Sequence, residues 1–395
     1  MPAVAYVFER FPSFGQTFSY REVVELERQG TTVHVFSIRR PVNEPEQDWD
    51  KRLVERVHYL PEEKTLVAEV DRVLRGKTVS DDTRSAVEKW DRQADFLRLY
   101  QAIYVGLRLR EKGLCHVHAH FAGMAARTVY WIREFFAIPY SFTAHANDIF
   151  APREFVVSLA KLIENAAAVV TVSDYAVRLL QERFPTNAAK IRRVYNGVDL
   201  SRFQPSDFGS GPPSIVSIGR LIEKKGFADL IGACALLRTR DRDFACSIIG
   251  EGPLAEALRA QIAANGLEKW VELAGPQTQA QIASRLAHAT MFVLPCTREA
   301  DGGMDNLPTV IMEAMTAGLP VISTPLGGIP EMVEPGVNGE LVPERDPEAL
   351  CVAIERLLAD PDRARGLGKR GREIAREKFS IEACARQLQQ LFDCI

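Results

Sequence analysis

Short apolar runs alternate along this chain with longer segments whose apolar residues recur at helical spacing. One series of runs lies at residues 4–8, 33–37, 117–119, 140–143 and 168–172. A second series lies at residues 214–218, 245–249, 271–273, 291–294 and 321–323. Strands that are apolar on both faces and separated by helices are typical of a parallel sheet covered on both sides. The pattern therefore predicts an α/β protein with two doubly wound, Rossmann-like parallel-sheet domains.

The segment QPSDFGSGPPS at residues 204–214 is rich in Gly, Pro and Ser and has no periodicity, which is typical of a linker. We therefore expect an N-terminal domain at 1–205 and a C-terminal domain at 206–375. Residues 61–90 are charged and helical in pattern, and we expect them to form an insertion in the first domain. The apolar face of residues 381–392 predicts a last helix within 376–395.

Residues 96–112 have an amphipathic pattern with a basic end. A surface helix that meets anionic lipid would explain the pattern. A helix that packs on the core is the interpretation we favour, since the apolar face is no wider than packing requires. No apolar run approaches the ~20 residues of a membrane span, and the start of the chain predicts a strand rather than a signal peptide. A cytosolic protein is expected, with weak peripheral contact with the cytoplasmic face of a membrane left open.

Composition narrows the functional class only a little. The chain has 395 residues, 46% of them hydrophobic and 26% charged, which is ordinary for a globular enzyme. Its formal net charge of -3 gives no general attraction to nucleic acid. The seven cysteines are scattered and form no CxxC pair. Free, mostly buried thiols are therefore expected instead of disulfides or a zinc site.

The strongest motif is TREADGGMDNLPTVIMEAMTAGLPVISTPLGGIPEMV at residues 297–333. Pro308 suits the first turn of a helix, so we expect a helix from about Thr309 with Glu313 in its second turn. Asp305 lies in the preceding loop. The two carboxylates can reach different ends of an elongated ligand. The N–H groups at the helix start would suit a phosphate between them.

A second motif, SIGRLIEKKGFADLI at residues 217–231, places Arg220 and Lys225 after a strand that ends near Gly219. Two cations can neutralise a diphosphate leaving group, which is work that a metal ion does elsewhere. A solvated basic loop is the simpler alternative. Lys224 is a weaker candidate.

Other candidates lie in loops that follow predicted strands. His145 ends the run at 140–143 and would lie at the mouth of a cleft, where Asp148 orients it or caps the next helix. Gly15 allows close approach of a ligand to the backbone. Gly250 and Glu251 belong to a turn that either lies near the nucleotide or is purely structural.

These motifs resemble the GT-B glycosyltransferases, and in particular the retaining family four, also known as group 1. The family pattern of two acids seven residues apart appears as Asp305 and Glu313, followed by AMTAGLPV and then by Gly-Gly-x-x-Glu, which ends at Glu331. Asp305 stands where the family usually has Glu. Exopolysaccharide and colanic-acid transferases are the most similar relatives, and Gln16 stands where they often carry Glu.

The resemblance implies two domains that face across a cleft, with the last helix returning to the first domain. It implies transfer of a hexose from a nucleotide diphosphate sugar, UDP before GDP, to a hydroxyl of a glycan, lipid-linked or small-molecule acceptor. No metal cofactor is expected, although His116, His118 and His120 look like ligands by composition. The predicted catalytic residues are Arg220, Lys225, His145 and Asp305. The predicted donor-binding residues are Glu313, Asn306, Leu307, Gly15, Gly219, Gly250, Glu251, Pro308 and Thr309.

Two alternatives use the same architecture. One is a nucleotide-sugar epimerase or phosphorylase. The other is a non-catalytic subunit that binds sugar nucleotides, against which the presence of Arg220, Lys225 and Glu313 argues. Donor sugar, base, acceptor and oligomeric state are not fixed by the sequence.

Overall fold

A computed structural model describes residues 3–45, 47–76, 78–90, 95–151, 154–209 and 211–395. Within these ranges the first sheet has seven parallel strands in the order β3-β2-β1-β4-β5-β6-β7. The strands are β1 (Ala3–Arg10), β2 (Thr32–Arg39), β3 (His58–Tyr59), β4 (Val117–His120), β5 (Tyr140–Ala144), β6 (Ala168–Thr171) and β7 (Ile191–Arg193).

Helices cover both faces of this sheet. They are α1 (Thr17–Arg28), α2 (Lys51–Glu55), α3 (Glu63–Arg75), α4 (Asp81–Trp90), α5 (Phe96–Glu111), α6 (Met124–Phe136), α7 (Ala146–Phe150), α8 (Leu159–Asn165) and α9 (Asp174–Arg183). Helix α5 contributes Leu99, Ile103 and Leu109 to the core on one face of the sheet. The core-packed interpretation of residues 96–112 is therefore the one that the structure supports.

The second sheet has six parallel strands in the order β10-β9-β8-β11-β12-β13 among the described residues. They are β8 (Ser214–Ile218), β9 (Ala245–Ile249), β10 (Val271–Gly275), β11 (Met291–Leu294), β12 (Val321–Ser323) and β13 (Gly339–Leu341). The helices between and after them are α10 (Phe227–Thr239), α11 (Ala255–Ala264), α12 (Gln279–Ala287), α13 (Thr309–Thr316), α14 (Ile329–Met332), α15 (Pro347–Ala359) and α16 (Pro361–Lys378). The prediction of two Rossmann-like parallel-sheet domains is confirmed.

The last helix, α17 (Ile381–Asp393), packs on the first sheet and not on the second. Its Cys384, Ala385 and Leu388 join the apolar cluster that contains Val4 and Tyr6 of β1. The chain crosses back where Val198 pairs with Ser380. We keep the limits 1–205, 206–375 and 376–395 as a proposal; Ser210 of the linker lies outside the described residues.

Three strands were missing from the predicted series, namely β3, β7 and β13. Each is only two or three residues long, and none carries an apolar run of its own. All seven cysteines are free, and Cys115 and Cys394 are the exposed ones. Over the described part of the chain, every helix is too short or too polar to cross a membrane.

Candidate functional site

The carboxyl ends of both sheets carry the loops singled out by sequence. In each sheet the strand order reverses beside the first strand, between β1 and β4 and between β8 and β11. Ligands of open α/β sheets bind at such switch points. The loops after β1, β4 and β5 belong to the first domain, and those after β8, β9, β11 and β12 belong to the second.

Lys225 and Asp305 form an ion pair between two loops of the second domain. The Cys296 thiol also donates to Asp305, with 3.6 Å between Sγ and Oδ2. Burial disfavours the charge on Lys225, but the carboxylate of Asp305 outweighs it and raises the pKa of the ammonium. Burial likewise opposes ionisation of Asp305, and the nearby Lys225 and Lys224 lower its pKa. The site therefore holds one positive and one negative group side by side.

The two other basic residues of this loop have different environments. Arg220 is exposed and forms no ion pair with any residue that the structure describes. Lys224 is buried, and its ammonium donates to Oδ1 of Asn147 in the first domain at 2.8 Å. Lys224 thus contacts the opposite domain, whereas Arg220 has no charged partner among the described residues.

Glycines allow the loops after β8 and β9 to touch. A Cβ on Gly250 would lie 2.0 Å from the carbonyl oxygen of Gly219, and Gly250 has a φ of +144°. The Leu221 amide donates to the carbonyl of Glu251 at 2.8 Å, and the side chain of Glu251 is exposed. The 250–252 turn therefore braces the loop that carries Arg220, and the predicted contact of Gly250 and Glu251 with the nucleotide stays a prediction.

The loop before α13 is held by the Gly-Gly turn of the same motif. The amide of Gly328 donates to the carbonyl of Asn306 at 2.7 Å, and a Cβ on Gly327 would lie 2.5 Å from the carbonyl oxygen of Asp305. Pro308 is the N-cap, and α13 begins at Thr309 as expected. Leu307 is buried beside this turn. These contacts fix the backbone of 305–309 at the helix start.

Glu313 lies deeper, on α13, and faces the first domain. Its Oε1 accepts a hydrogen bond from Nη2 of Arg21 on α1 at 2.9 Å, and both side chains are more than 90% buried. Burial raises the pKa of the Glu313 carboxyl, although Arg21 opposes the shift. This ion pair joins the two domains across the cleft.

His145 follows β5 and packs between Phe18 and Phe121, with ring centroids 4.9 and 4.3 Å away. Burial lowers its pKa well below the ordinary histidine value, so the ring is neutral. Asp148 accepts from the backbone amide of His145 at 2.9 Å. Of the two predicted roles for Asp148, the structure favours the cap over orientation of the ring.

The three alternating histidines, of which His118 and His120 lie on β4 and His116 directly precedes it, form part of a buried polar chain. His118 bonds the hydroxyls of Ser141 and Thr143 through its two ring nitrogens, at 2.7 and 3.0 Å. His120 bonds His145 at 3.1 Å through Nδ1 and Glu22 at 3.0 Å through Nε2.

Glu22, His118 and His120 lie close enough together to hold a metal ion. Both nitrogens of His118 and both of His120 already have hydrogen-bond partners. The expected absence of a metal stays a prediction.

The loop after β1 is held by hydrogen bonds to a residue that follows β2. The amide of Phe14 and the hydroxyl of Ser13 donate to the carboxylate of Glu44 at 2.6 and 3.1 Å. Gly15 is exposed at the tip of this loop, and an added Cβ would meet nothing within 4 Å. Space for a ligand exists beside its backbone.

Glu331, the last residue of the motif, bonds the first domain. Its carboxylate accepts from the amides of Asp174 and Tyr175 at 2.9 and 2.8 Å, and from the Tyr195 hydroxyl at 3.0 Å. Ser173 caps α9, and its hydroxyl also donates to Oδ1 of Asn306 at 2.6 Å. The motif therefore fastens the domains together as well as lining the cleft.

Sequence reasoning missed several residues of the cleft, namely Arg21, Glu22, Glu44 and Asn147. Arg21 and Asn147 act through partners in the other domain, and Glu44 lies in a segment without a motif. The only available signal was that Arg21 and Glu22 follow the loop after β1.

Comparisons with known proteins agree with this geometry. A model described as glycosyl transferases group 1 matches residues 201–374, and one described as glycosyltransferase family 4 matches residues 15–202. Among solved structures, HepE from Anabaena with UDP and glucose has a TM-score of 0.75 at 17% identity, with both chains fully covered. Sucrose-phosphate synthase from Thermosynechococcus elongatus also has a TM-score of 0.75, at 20% identity, covering 100% of this chain and 98% of that one.

Several curated relatives are more similar in sequence. The putative colanic acid biosynthesis glycosyltransferase WcaL of Escherichia coli K12 is 36% identical over 60% of this chain and 58% of its own length. The amylovoran biosynthesis glycosyltransferase AmsK of Erwinia amylovora is 36% identical over 52% of this chain and 51% of its own. A GDP-mannose-dependent phosphatidylinositol monomannoside mannosyltransferase of Mycolicibacterium smegmatis is 34% identical over 58% of this chain and 63% of its own.

The chain thus spans less than two thirds of each of these relatives. The two family models together extend from residue 15 to residue 374, which includes every strand of both sheets except β1. The fold is GT-B, and the chain belongs to the group 1 glycosyltransferases of family four.

Proposed function

We propose that this protein is a retaining hexosyltransferase that uses a nucleotide diphosphate sugar as donor and a hydroxyl group as acceptor. The observation that carries the proposal is the placement of Lys225 against Asp305, with Arg220, which forms no ion pair with a described residue, in the same loop as Lys225. A diphosphate leaving group needs fixed positive charge, and a donor sugar needs a hydrogen-bond acceptor beside that charge. The loops at the second switch point supply both.

Each side chain then has one task. Arg220 and Lys225 neutralise the diphosphate as the bond to the sugar breaks. Asp305, with the backbone of Asn306 and Leu307, faces the sugar, while Glu313 bonds the ribose. The N–H groups at the start of α13, at Thr309 beyond Pro308, face the phosphates. His145, neutral and buried between aromatic rings, lies near the sugar hydroxyls from the first domain.

Retention of configuration follows from the family resemblance. A front-face route is implied, in which the departing phosphate oxygen takes the proton of the incoming hydroxyl. The protein contributes positioning and charge stabilisation, and no metal has a part in the proposal.

UDP is our first choice of nucleotide and GDP our second. The solved neighbour HepE carries UDP, whereas the mycobacterial relatives are named for GDP-mannose. The names of WcaL and AmsK, which refer to colanic acid and amylovoran biosynthesis, favour an acceptor that is an intermediate of polysaccharide biosynthesis. Lipid-linked glycans belong to this class of acceptor. Such an acceptor is consistent with a cytosolic protein that touches the membrane from its cytoplasmic face.

The test is a panel of UDP and GDP hexoses incubated with the protein and a pool of hydroxyl acceptors. We expect one donor to raise the melting temperature by mass action and to yield a glycoside. Lys225→Ala should abolish transfer without unfolding the protein. The matched control is Lys269→Ala, an exposed lysine of the same domain that we expect to be silent.

Near-normal turnover of Lys225→Ala would overturn the assignment. Epimerised or phosphorolysed donor without a glycoside product would favour an isomerase or a phosphorylase. Tight donor binding with no turnover on any acceptor would favour a non-catalytic subunit.

A further inference from the structure

The start of α1 takes its cap from another part of the chain. The Phe14 amide and the Ser13 hydroxyl donate to the carboxylate of Glu44, which lies 30 residues beyond Phe14. Ser13 and Gln16 are the N-cap residues of the turn at 14–16 and of α1, and neither makes a side-chain cap of its own. The first turn of α1 has no acidic residue either. Glu44 therefore supplies the acceptor oxygens and the negative charge that this helix start lacks.

Three features of the cleft depend on where this capped segment lies. Gly15 forms its exposed tip, with nothing within 4 Å of an added Cβ. Phe18, in the first turn of α1, packs against the ring of His145 with 4.9 Å between the centroids. Arg21, one turn further, pairs with Glu313 of the second domain. A displacement of the capped segment would move all three.

The segment that carries Glu44 also reaches the second domain. Oε1 of Gln47 accepts from the amide of Gln279, the first residue of α12, at 3.1 Å. The residues around Glu44 thus lie at the rim where the two domains meet. Because its hydrogen bonds run to a loop at the first switch point, Glu44 holds that loop from the entrance of the cleft.

We propose that Glu44 is a positioning residue for sugar transfer. It fixes the backbone on either side of Gly15 against the sugar and the acceptor, and it leaves contact with the substrates to other groups. This inference rests on the proposed function and deepens it, because it assigns the geometry of the first-domain side of the reaction to one carboxylate outside every motif. Catalysis by positioning loses rate when a group is misplaced by about 1 Å.

Hydrogen exchange measured by mass spectrometry tests the contact without any ligand. Glu44→Ala leaves the Phe14 amide without its acceptor, so the peptide 11–18 should exchange about tenfold faster than in the wild-type protein. Glu44→Gln keeps one carbonyl oxygen for that amide and should lie between the two. The matched control is Glu55→Ala, an exposed acid on α2 that bonds no described residue. Its peptide 11–18 should exchange as in the wild-type protein.

Turnover tests the positioning role. The probes are UDP and GDP hexoses as donors and octyl glucoside and octyl mannoside as hydroxyl acceptors, and the release of UDP or GDP is measured at saturating donor. We expect Glu44→Ala to lower kcat by about tenfold, Glu44→Gln to lower it less, and Glu55→Ala to leave it unchanged. A role in stability alone would lower the melting temperature but would not change kcat of the folded protein.

Wild-type exchange of the peptide 11–18 in Glu44→Ala would overturn the inference, because the carboxylate would then not hold the loop. Faster exchange with a wild-type kcat would also overturn it, because the position of the loop would not matter for transfer. A wild-type protein that binds neither UDP nor GDP and turns over no donor would contradict the proposed function, and the exchange ratio would still decide whether Glu44 holds the loop. Melting curves of each variant separate a lost contact from lost folding.

Discussion

The ammonium of Lys225 bonds the carboxylate of Asp305, 80 residues further along the chain, inside the cleft between the two sheets. This contact explains how the positive charge persists in a partly buried position. Asp305 raises the pKa of Lys225 against the opposing effect of burial. A ligand that binds here would meet a protonated lysine at neutral pH and well above it.

Replacing the carboxylate of Asp305 should show how far the charge on Lys225 depends on it. In Asp305→Asn the pull of the carboxylate is lost while burial still disfavours the charge, so the pKa of Lys225 falls. Donor affinity should fall at alkaline pH in both proteins, because Lys225 loses its proton. We expect this fall to begin at a lower pH in Asp305→Asn than in the wild-type protein. Calorimetry across pH 6 to 10 would measure the shift, with the exposed Asp243→Asn as control. Superimposable profiles would show that Asp305 does not hold the charge.

Glu331 should contribute to stability more than to chemistry. Glu331→Ala removes two amide contacts at the start of α9 and the bond from the Tyr195 hydroxyl. We expect a loss of about 1–2 kcal/mol in the free energy of unfolding. Urea denaturation measures it, and Glu334→Ala, an exposed acid three residues later, should change little. Equal effects of the two substitutions would contradict the capping role.

Gly327→Ala tests the tight contact beneath the Asp305 loop. The new methyl would lie 2.5 Å from the carbonyl oxygen of Asp305, at a φ of +54°. We expect both stability and transfer to fall, by about 1–3 kcal/mol for the former. Gly336→Ala is the matched control, since its φ is +75° but nothing lies within 4 Å of the added Cβ. If both variants lose transfer equally, the strained backbone and not the contact is responsible.

Buried histidines should make the first domain sensitive to acid. Burial lowers the pKa of His116 to about 4, whereas an unfolded histidine has a pKa near ~6.5. The unfolded chain binds the proton first, so stability is lost as pH falls from about 6.5 toward 4. The contribution of His116 is on the order of 3 kcal/mol at the acid end.

The measurement is the free energy of unfolding between pH 4 and 8. His116→Gln can keep a hydrogen bond to the Ser141 hydroxyl, now 2.8 Å from the ring, but cannot titrate. We expect a shallower slope in this variant. The control is His288→Gln, because His288 is exposed and pairs with Asp207. This variant should keep nearly the same slope as the wild-type protein. If it flattened the slope as much as His116→Gln does, burial of His116 would not be the cause of the acid sensitivity.

The pattern of apolar residues predicted the long strands and helices, because burial of an element requires apolar residues at regular positions along it. The predicted runs at 214–218 and 291–294 coincide with β8 and β11. Strand β7, with Arg192 and Arg193 in three residues, is an edge strand whose position depends on pairing with β6 rather than on its own composition. Such strands have no local signal.

Candidate residues could be predicted in both domains, but contacts between them could be predicted only within one domain. Gly327 and Asp305 belong to one motif, and the loops that carry them follow the neighbouring strands β12 and β11. Arg21 and Glu313 are 292 residues apart, and neither residue's spacing indicates the other. Contacts between domains depend on how two finished units meet, and a local pattern does not carry that information.

The return of α17 to the first sheet has a consequence for how the chain is made. Leu388 fills the core around Tyr6, yet it is synthesised after the whole second sheet. The first domain emerges first from the ribosome, but one apolar face of its sheet stays uncovered until α17 has been synthesised. The second domain, which is made later, can complete its core before that. Order of synthesis and order of completion are reversed in this molecule.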